Sequence, residues 1–290
     1  MHHHSTSSSR AVVFGGGGSA GNAWLIGLVA GLTRGGVELA NAELWVGTSA
    51  GATAAAQLAY RPPAELYEEI LAQPTIPPRP GPTLDHLERV RSLSAASTDA
   101  ADMRRRMGAA ALALAENADG TAVGRWRATV AARLPSTDWP ERRLLITAVD
   151  AHSGDPVMLE RDSGLDLVDA VAASTSGGGT YRAGGRDLID GGYLRNENAD
   201  LAIGFDKVLV FSPLGGRTLH PLEWRMQLSA QVEDLEASGS SVQVVVPDAA
   251  SLEAMGDNVM DLSRRPAVAR AAFAQGESLA PQAAAFWNGR

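Results

Sequence analysis

The stretch Val46 to Ala52 (Val-Gly-Thr-Ser-Ala-Gly-Ala) constrains this chain more than any other. Gly47 and Gly51 flank Ser49 directly after the apolar run Leu44-Trp45-Val46, and the alanine-rich stretch Ala52 to Tyr60 follows. A strand must therefore turn sharply into a helix at Ser49. Any Cβ at 47 or 51 would crowd the adjoining strand and helix, so both neighbours are glycine. The turn holds the Ser49 hydroxyl above a sheet edge, at the positive end of a helix. A plain turn of small residues can carry the same five-residue pattern, so the surroundings must decide its purpose.

Upstream, Ala11-Val12-Val13-Phe14 reads as a short buried strand ending in Gly15-Gly16-Gly17-Gly18-Ser19-Ala20-Gly21. Glycines free this backbone to curl until several N–H groups point into one space, an anion-binding concavity. A helix is predicted from Asn22 to about Thr33, with Trp24, Leu25, Leu28, Val29 and Leu32 on one face. Its N-terminus adds positive potential at the same place. Gly16, Gly18 and Gly21 also fit the dinucleotide fingerprint, which expects an acidic residue closing the second strand. Here that strand, near Glu43 to Val46, closes into Gly47-Thr48-Ser49 instead. Two glycine-rich turns after the first two strands would share the carboxyl edge of a parallel sheet. One offers N–H donors and the other a serine nucleophile, the pair that acyl transfer needs.

The rest of the chain alternates strands and helices without internal repeat, which predicts a doubly wound α/β sheet. Helix is expected over Pro62 to Gln73. Pro74, Pro77, Pro78, Pro80 and Pro82 exclude regular helix, and Leu84 to about Leu134 is helical and alanine-rich. Residues 74–140 read as a helical cap or lid inserted over the sheet edge, with Arg104-Arg105-Arg106 on a solvated face. Strands are predicted at Arg143 to Val149, Val157 to Leu159, Arg186 to Ile189, Lys207 to Phe211 and Val242 to Val246. Helices are predicted at Leu165 to Ala173, Leu222 to Ala237 and Pro266 to Trp287.

Composition sets limits. Met1 to about Ser9 reads as a tag remnant, and the rest, 10–290, suffices for one large α/β domain or two small ones. A net charge of −8 argues against a nucleic-acid partner. The chain has no cysteine, which excludes disulfides and thiolate metal sites. No apolar run approaches the ~18 residues of a membrane span. A soluble, cytoplasmic protein is expected.

A serine hydroxyl becomes a useful nucleophile only when a positioned base takes its proton. The histidines beyond the tag are His86 in the expected lid, His152 in a hairpin turn and His220 before Pro221. All three read as ordinary surface residues. An α/β-hydrolase would place several strands before its elbow and a histidine near its C-terminus, and this chain does neither. Asp190 is the better base, since it ends the apolar-flanked Leu188-Ile189 and precedes Gly191-Gly192. To serve, its carboxylate needs a raised pKa, which exclusion of water supplies.

The ordered set Gly16-x-Gly18-x-x-Gly21, Gly47-x-Ser49-x-Gly51 and Asp190-Gly191-Gly192 resembles the patatin-like phospholipase family, and looks closest to its actinobacterial members. The likeness extends through Leu145 to Asp150 and Asp169 to Ser174, and so covers nearly the whole chain. It implies a three-layer α/β/α sandwich with a mostly parallel central sheet, forming a single patatin-like domain. It implies a Ser-Asp dyad, with Ser49 as nucleophile, Asp190 as base, and N–H groups of Gly16, Gly17 and Gly18 as oxyanion hole. Gly21, Gly47, Gly51, Gly191 and Gly192 are then motif glycines. Hydrolysis of lipid acyl esters through an acyl-enzyme, with neither metal nor cofactor, is the implied chemistry. Two departures stand out. Ala20 occupies a position where many members carry Arg or Lys. Ser176-Gly177-Gly178-Gly179-Thr180 replaces a longer, proline-containing segment.

The competing function is a non-hydrolytic lipid- or acyl-binding relative, or an engineered form with a perturbed loop before Asp190. Acyl transfer from a thioester would share the elbow but normally uses a histidine. A lipid substrate implies transient contact with a membrane surface, though no stretch reads as a basic amphipathic helix. Nothing in the sequence sets headgroup, chain length or oligomeric state.

Overall fold

The computed structural model describes residues 8–74, 77, 83–116 and 121–289, excluding the side chains of 83–86. Eight strands form one sheet: β1 (Arg10–Phe14), β2 (Leu44–Gly47), β3 (Arg143–Asp150), β4 (Pro156–Leu159), β5 (Tyr181–Ala183), β6 (Arg186–Asp190), β7 (Lys207–Phe211) and β8 (Ser241–Val245). Their order is β5-β6-β3-β2-β1-β7-β8, with β4 also paired to β3. The run β3-β2-β1-β7-β8 is parallel, while β4, β5 and β6 pair antiparallel. β1 and β2 read as continuous apolar runs because helices cover both their faces.

Register brings the motifs together. Phe14 is the partner of Gly47, so the loops after β1 and β2 leave the same edge side by side. β6 runs back toward that edge, and Asp190 lies opposite Ala148, two residues beyond Ile146, the partner of Gly47.

The helices are α1 (Gly18–Arg34), α2 (Ala50–Tyr60), α3 (Pro63–Leu71), α4 (Thr83–Ala95), α5 (Ala100–Glu116), α6 (Ala122–Ala131), α7 (Leu167–Ser174), α8 (Leu228–Ala237), α9 (Ala249–Met255) and α10 (Arg265–Asn288). Alternate side chains of the strands feed two cores. Val12, Phe14, Trp45 and Ile146 pack with α1, α2, α7 and α10. On the other face Val13, Val46 and Val210 meet α8 and the 3-10 turn Ala199–Ala202. There too, Met103 and Met107 of α5 cover Val149 and Ile189.

α1 and α10 run parallel in close contact because glycines line their seam. A Cβ on Gly31 would stand 2.2 Å from the Phe273 carbonyl oxygen and 2.9 Å from the Glu277 nitrogen, both backbone atoms. Gly31→Ala must push the helices apart and is expected to cost about 1–3 kcal/mol. Gly124→Ala on α6, where a Cβ meets nothing within 4 Å, should instead gain about 0.5–1 kcal/mol from helix propensity. Thermal unfolding of the two variants checks this contrast.

Several expectations need correction. α1 begins at Gly18, four residues early, because the Gly17 carbonyl already accepts the Gly21 N–H at 2.8 Å. The hairpin strand β5 has no apolar signature, so the sequence does not mark it. α7 starts at Leu167 because Asp166 caps it by accepting the Asp169 N–H. The helix expected over Leu222 to Ala237 divides into a 3-10 turn, Leu222–Trp224, and α8, since Arg225 takes φ 53° between them. The helical stretch from Leu84 to Leu134 breaks before Ala100, where the Asp99 carboxylate accepts the Asp102 N–H.

The region expected to form a lid serves two layers. α5 lies on a sheet face, whereas Trp126 of α6 donates to the Ala172 carbonyl of α7. Residues 75–76, 78–82 and 117–120 of that region lie outside the described residues. Arg104 is not on a solvated face, because its guanidinium donates to the Gly154 carbonyl at 2.7 Å and burial lowers its pKa. Arg105 and Arg106 are exposed and pair with Asp102. Among the described residues no helix is long and apolar enough to cross a membrane.

Candidate active site

Ser49 sits between β2 and α2 with φ 52° and ψ −119°, a strained backbone for a residue with a side chain. The neighbouring glycines make the turn possible. A Cβ at Gly51 would stand 2.0 Å from the Phe14 carbonyl oxygen, and one at Gly47 2.7 Å from Ala52 Cα. The Ser49 N–H donates to Ser174 Oγ at 2.9 Å, which ties the elbow to the end of α7. Ser174 is fully buried.

The Ser49 hydroxyl donates to Asp190 Oδ2 at 2.9 Å. The other carboxylate oxygen accepts the Gly192 N–H at 2.8 Å, which fixes the rotamer. Gly191 lets this turn close against β3, since a Cβ there would stand 2.2 Å from Thr147 Oγ1. Burial pushes the Asp190 pKa from 3.8 up to about 6, outweighing the Gly192 N–H and the Ser49 hydroxyl, which both lower it. Among the described residues no cation contributes. The pair is a serine held against a carboxylate that ionises near neutrality.

The glycine loop lies directly over this pair. A Cβ on Gly16 would come within 3.4 Å of Ser49 Cβ. Its three candidate donors are not equivalent. The Gly16 N–H donates to the Asn196 carbonyl at 3.0 Å and is therefore committed. The N–H groups of Gly17 and Gly18, at the start of α1, donate to no carbonyl among the described residues. Gly17 and Gly21 pack on Pro213, and Gly18 adopts φ 62° beneath Met260. Ala20 is fully buried. Arg265 of α10 instead brings a guanidinium to the same turn, donating to the Ser19 carbonyl at 2.9 Å.

The short glycine run before β5 does not displace Asp190. It closes as a turn in which the Gly179 N–H donates to the Ser176 carbonyl, and Gly178 takes φ 87°. Cβ atoms on Gly177 or Gly179 would meet nothing closer than 4.0 and 3.8 Å.

The chain belongs to the patatin-like phospholipase family.

The family model for patatin-like phospholipases matches residues 12–203, a span that holds the glycine loop, the elbow and the Asp190 turn. The protein accordingly has a patatin-like α/β/α sandwich with a mixed central sheet and helical insertions. No curated protein matches the sequence. Among solved structures it is similar to the type III effector protein ExoU, with 16% identity and a TM-score of 0.39 over 95% of this chain. VipD from Legionella pneumophila is similar at 13% identity and a TM-score of 0.39, again over 95% of this chain. The chain spans 53% of the ExoU chain and 67% of the VipD chain.

His152 and His220 make their contacts away from this site. His152 pairs through Nε2 with Asp187 at 3.0 Å. His220 is half-buried, not a surface residue, because Ser94 lies 3.1 Å from its Nδ1 and Trp224 stacks on its ring. The side chain of His86 lies outside the described residues. No group of three His, Asp or Glu side chains among the described residues has the spacing of a metal site.

Sequence reasoning overlooked the polar layer beneath the site. Thr48 and Thr147 hydroxyls lie 3.0 Å apart, and Asn198 Nδ2 donates to Thr48 Oγ1 at 2.9 Å and to the Arg195 carbonyl at 2.7 Å. All three side chains are buried. Asn198 holds φ 55°, a conformation that asparagine tolerates better than most residues. The run Arg195-Asn196-Glu197-Asn198 offered one signal, four polar residues in succession just after Asp190-Gly191-Gly192.

Proposed function

We propose that the protein is a serine acyl-ester hydrolase acting on lipid esters through a Ser49–Asp190 dyad. The observation that carries this reading is the 2.9 Å contact from the Ser49 hydroxyl to Asp190. In the first step Ser49 Oγ attacks the ester carbonyl carbon while its proton passes to Asp190 Oδ2. The oxyanion that forms accepts N–H donors from Gly17 and Gly18, with the positive end of α1 behind them. Collapse expels the alcohol, which leaves with the proton from Asp190, and Ser49 keeps the acyl group. Water then attacks the acyl-enzyme, again giving its proton to Asp190, and the fatty acid leaves as Ser49 recovers its hydrogen.

Residues 10–290 act in this reading as one patatin-like unit, with 74–140 as a helical cap insertion of which α5 lies on a sheet face and α6 on α7. The substrate is a lipid or related acyl ester, met through transient contact with its aggregate or membrane surface.

Asp190 must be ionised to accept the proton, so activity is lost as pH falls through its raised pKa. The expected profile of kcat/KM is flat above about pH 7 and falls about tenfold per unit below about pH 6. Initial rates of a p-nitrophenyl acyl ester between pH 4.5 and 9 measure this. Full activity maintained down to pH 4.5 would remove Asp190 as the base.

A further inference from the structure

Glu197 is the most deeply buried carboxylate described, with 1% of its surface exposed, and the proposed chemistry makes no use of it. Among the described residues it has no cationic partner. Its contacts are all donors: Asn196 Nδ2 at 2.9 Å and Ser212 Oγ at 2.7 Å to Oε1, and Gln231 Nε2 at 3.5 Å to Oε2. Two of these donors are themselves anchored. Ser212 Oγ accepts the Gly216 N–H at 2.8 Å, and Gln231 Oε1 accepts the Ala199 N–H at 2.7 Å. Burial raises the pKa of Glu197, and the surrounding donors pull it down. Burying such a group costs stability unless its contacts repay it, so the position asks for an explanation.

Asn196 links Glu197 to the catalytic loop. Its carbonyl accepts the Gly16 N–H at 3.0 Å and its Nδ2 donates to the Gly16 carbonyl at 3.2 Å. Both polar groups of one loop residue are thus held by a single side residue. That residue's amide is held in turn by Glu197. The Glu197 side chain also lies directly beneath the preceding position, where a Cβ on Gly15 would meet its Cγ at 3.2 Å. Gly16 is thus fixed on both sides beside Ser49 Cβ, and the Gly17 and Gly18 N–H groups that follow it donate to no carbonyl among the described residues.

We infer that Glu197, acting through Asn196, is the positioning residue of the oxyanion loop: a buried latch that sets the aim of the Gly17 and Gly18 N–H groups. The inference rests on the proposed serine hydrolase reading. A latch of this kind acts on the transition state, where the oxyanion exists, and hardly on binding of the neutral ester.

Steady-state kinetics on a p-nitrophenyl ester, normalised to sites titrated by a fluorophosphonate, provide the test. Losing one oxyanion donor outright costs about 10²–10³-fold in kcat, so misaiming two should cost Glu197→Ala about 10–100-fold with KM within about twofold. Asn196→Ala should show the same split, and it decides the matter if Glu197→Ala fails to fold. Glu197→Gln can keep an oxygen toward Asn196 and Ser212 while its nitrogen faces the long Gln231 contact, so kcat should return to within about threefold of the parent. Wild-type kcat per titrated site in Glu197→Ala or Asn196→Ala would overturn the latch. So would Glu197→Gln as slow as Glu197→Ala, since charge rather than geometry would then be what the site needs. Failure of the parent protein to react with the fluorophosphonate would instead defeat the serine hydrolase reading, and this inference with it.

Discussion

Ser49→Ala should lower turnover of an acyl ester by about 10⁴-fold or more, because removing a catalytic nucleophile leaves only binding and oxyanion stabilisation. The fold should survive. The substitution removes one oxygen, and the contact that anchors the elbow runs from the Ser49 main-chain N–H to Ser174, not from the hydroxyl. The strained φ of 52° is as acceptable to alanine as to serine, so little stability is at stake. The result is read as kcat per mole of protein of unchanged melting temperature. Residual activity near the parent level would remove Ser49 as nucleophile.

Asp190→Asn carries the second large effect and moves activity and stability in opposite directions. Asparagine can keep the geometry: its oxygen accepts the Gly192 N–H, and its amide donates to Ser49 Oγ where the carboxylate had accepted. It cannot take a proton, so turnover should fall about 10³–10⁴-fold. Stability should rise. The carboxyl has a pKa of about 6 when folded against an ordinary 3.8, so the folded chain binds the proton more tightly than the unfolded one. The parent is penalised fully above pH 6, progressively less toward pH 4, and not at all below both values. Two units correspond to at most about 3 kcal/mol. Asp190→Asn should therefore melt higher than the parent at pH 8, with most of that gap closed at pH 4. Equal melting temperatures at both pH values would contradict a destabilising carboxylate.

The features that proved readable in the sequence share a physical cause. β1, β2, β3 and β7 are buried on both faces, so each stands out as an apolar run, and glycine marks the turns after the first two. Asp190 was legible for the same reason, as a charge closing an apolar strand before two glycines. The polar layer beneath the site was not. Glu197, with 1% exposure, and Asn198, with 3%, look in sequence like any solvated loop. Their burial is set by contacts to Ser212, Gln231, Thr48 and Thr147, all distant in the chain. The burial of Arg104 is hidden in the same way, because its acceptor is a carbonyl fifty residues on. Position 16 shows the limit of a motif. The glycine loop suggested three interchangeable donors, yet the Gly16 N–H is taken by Asn196, whose place no local pattern records.

Intact mass after treatment with a fluorophosphonate, followed by peptide mapping, reads whether Ser49 is an activated nucleophile. One adduct per chain is expected, on Ser49, formed far more slowly in Asp190→Asn and more slowly as pH falls below about 6. A folded parent protein that takes no adduct, or takes it on another residue, would contradict that role for Ser49.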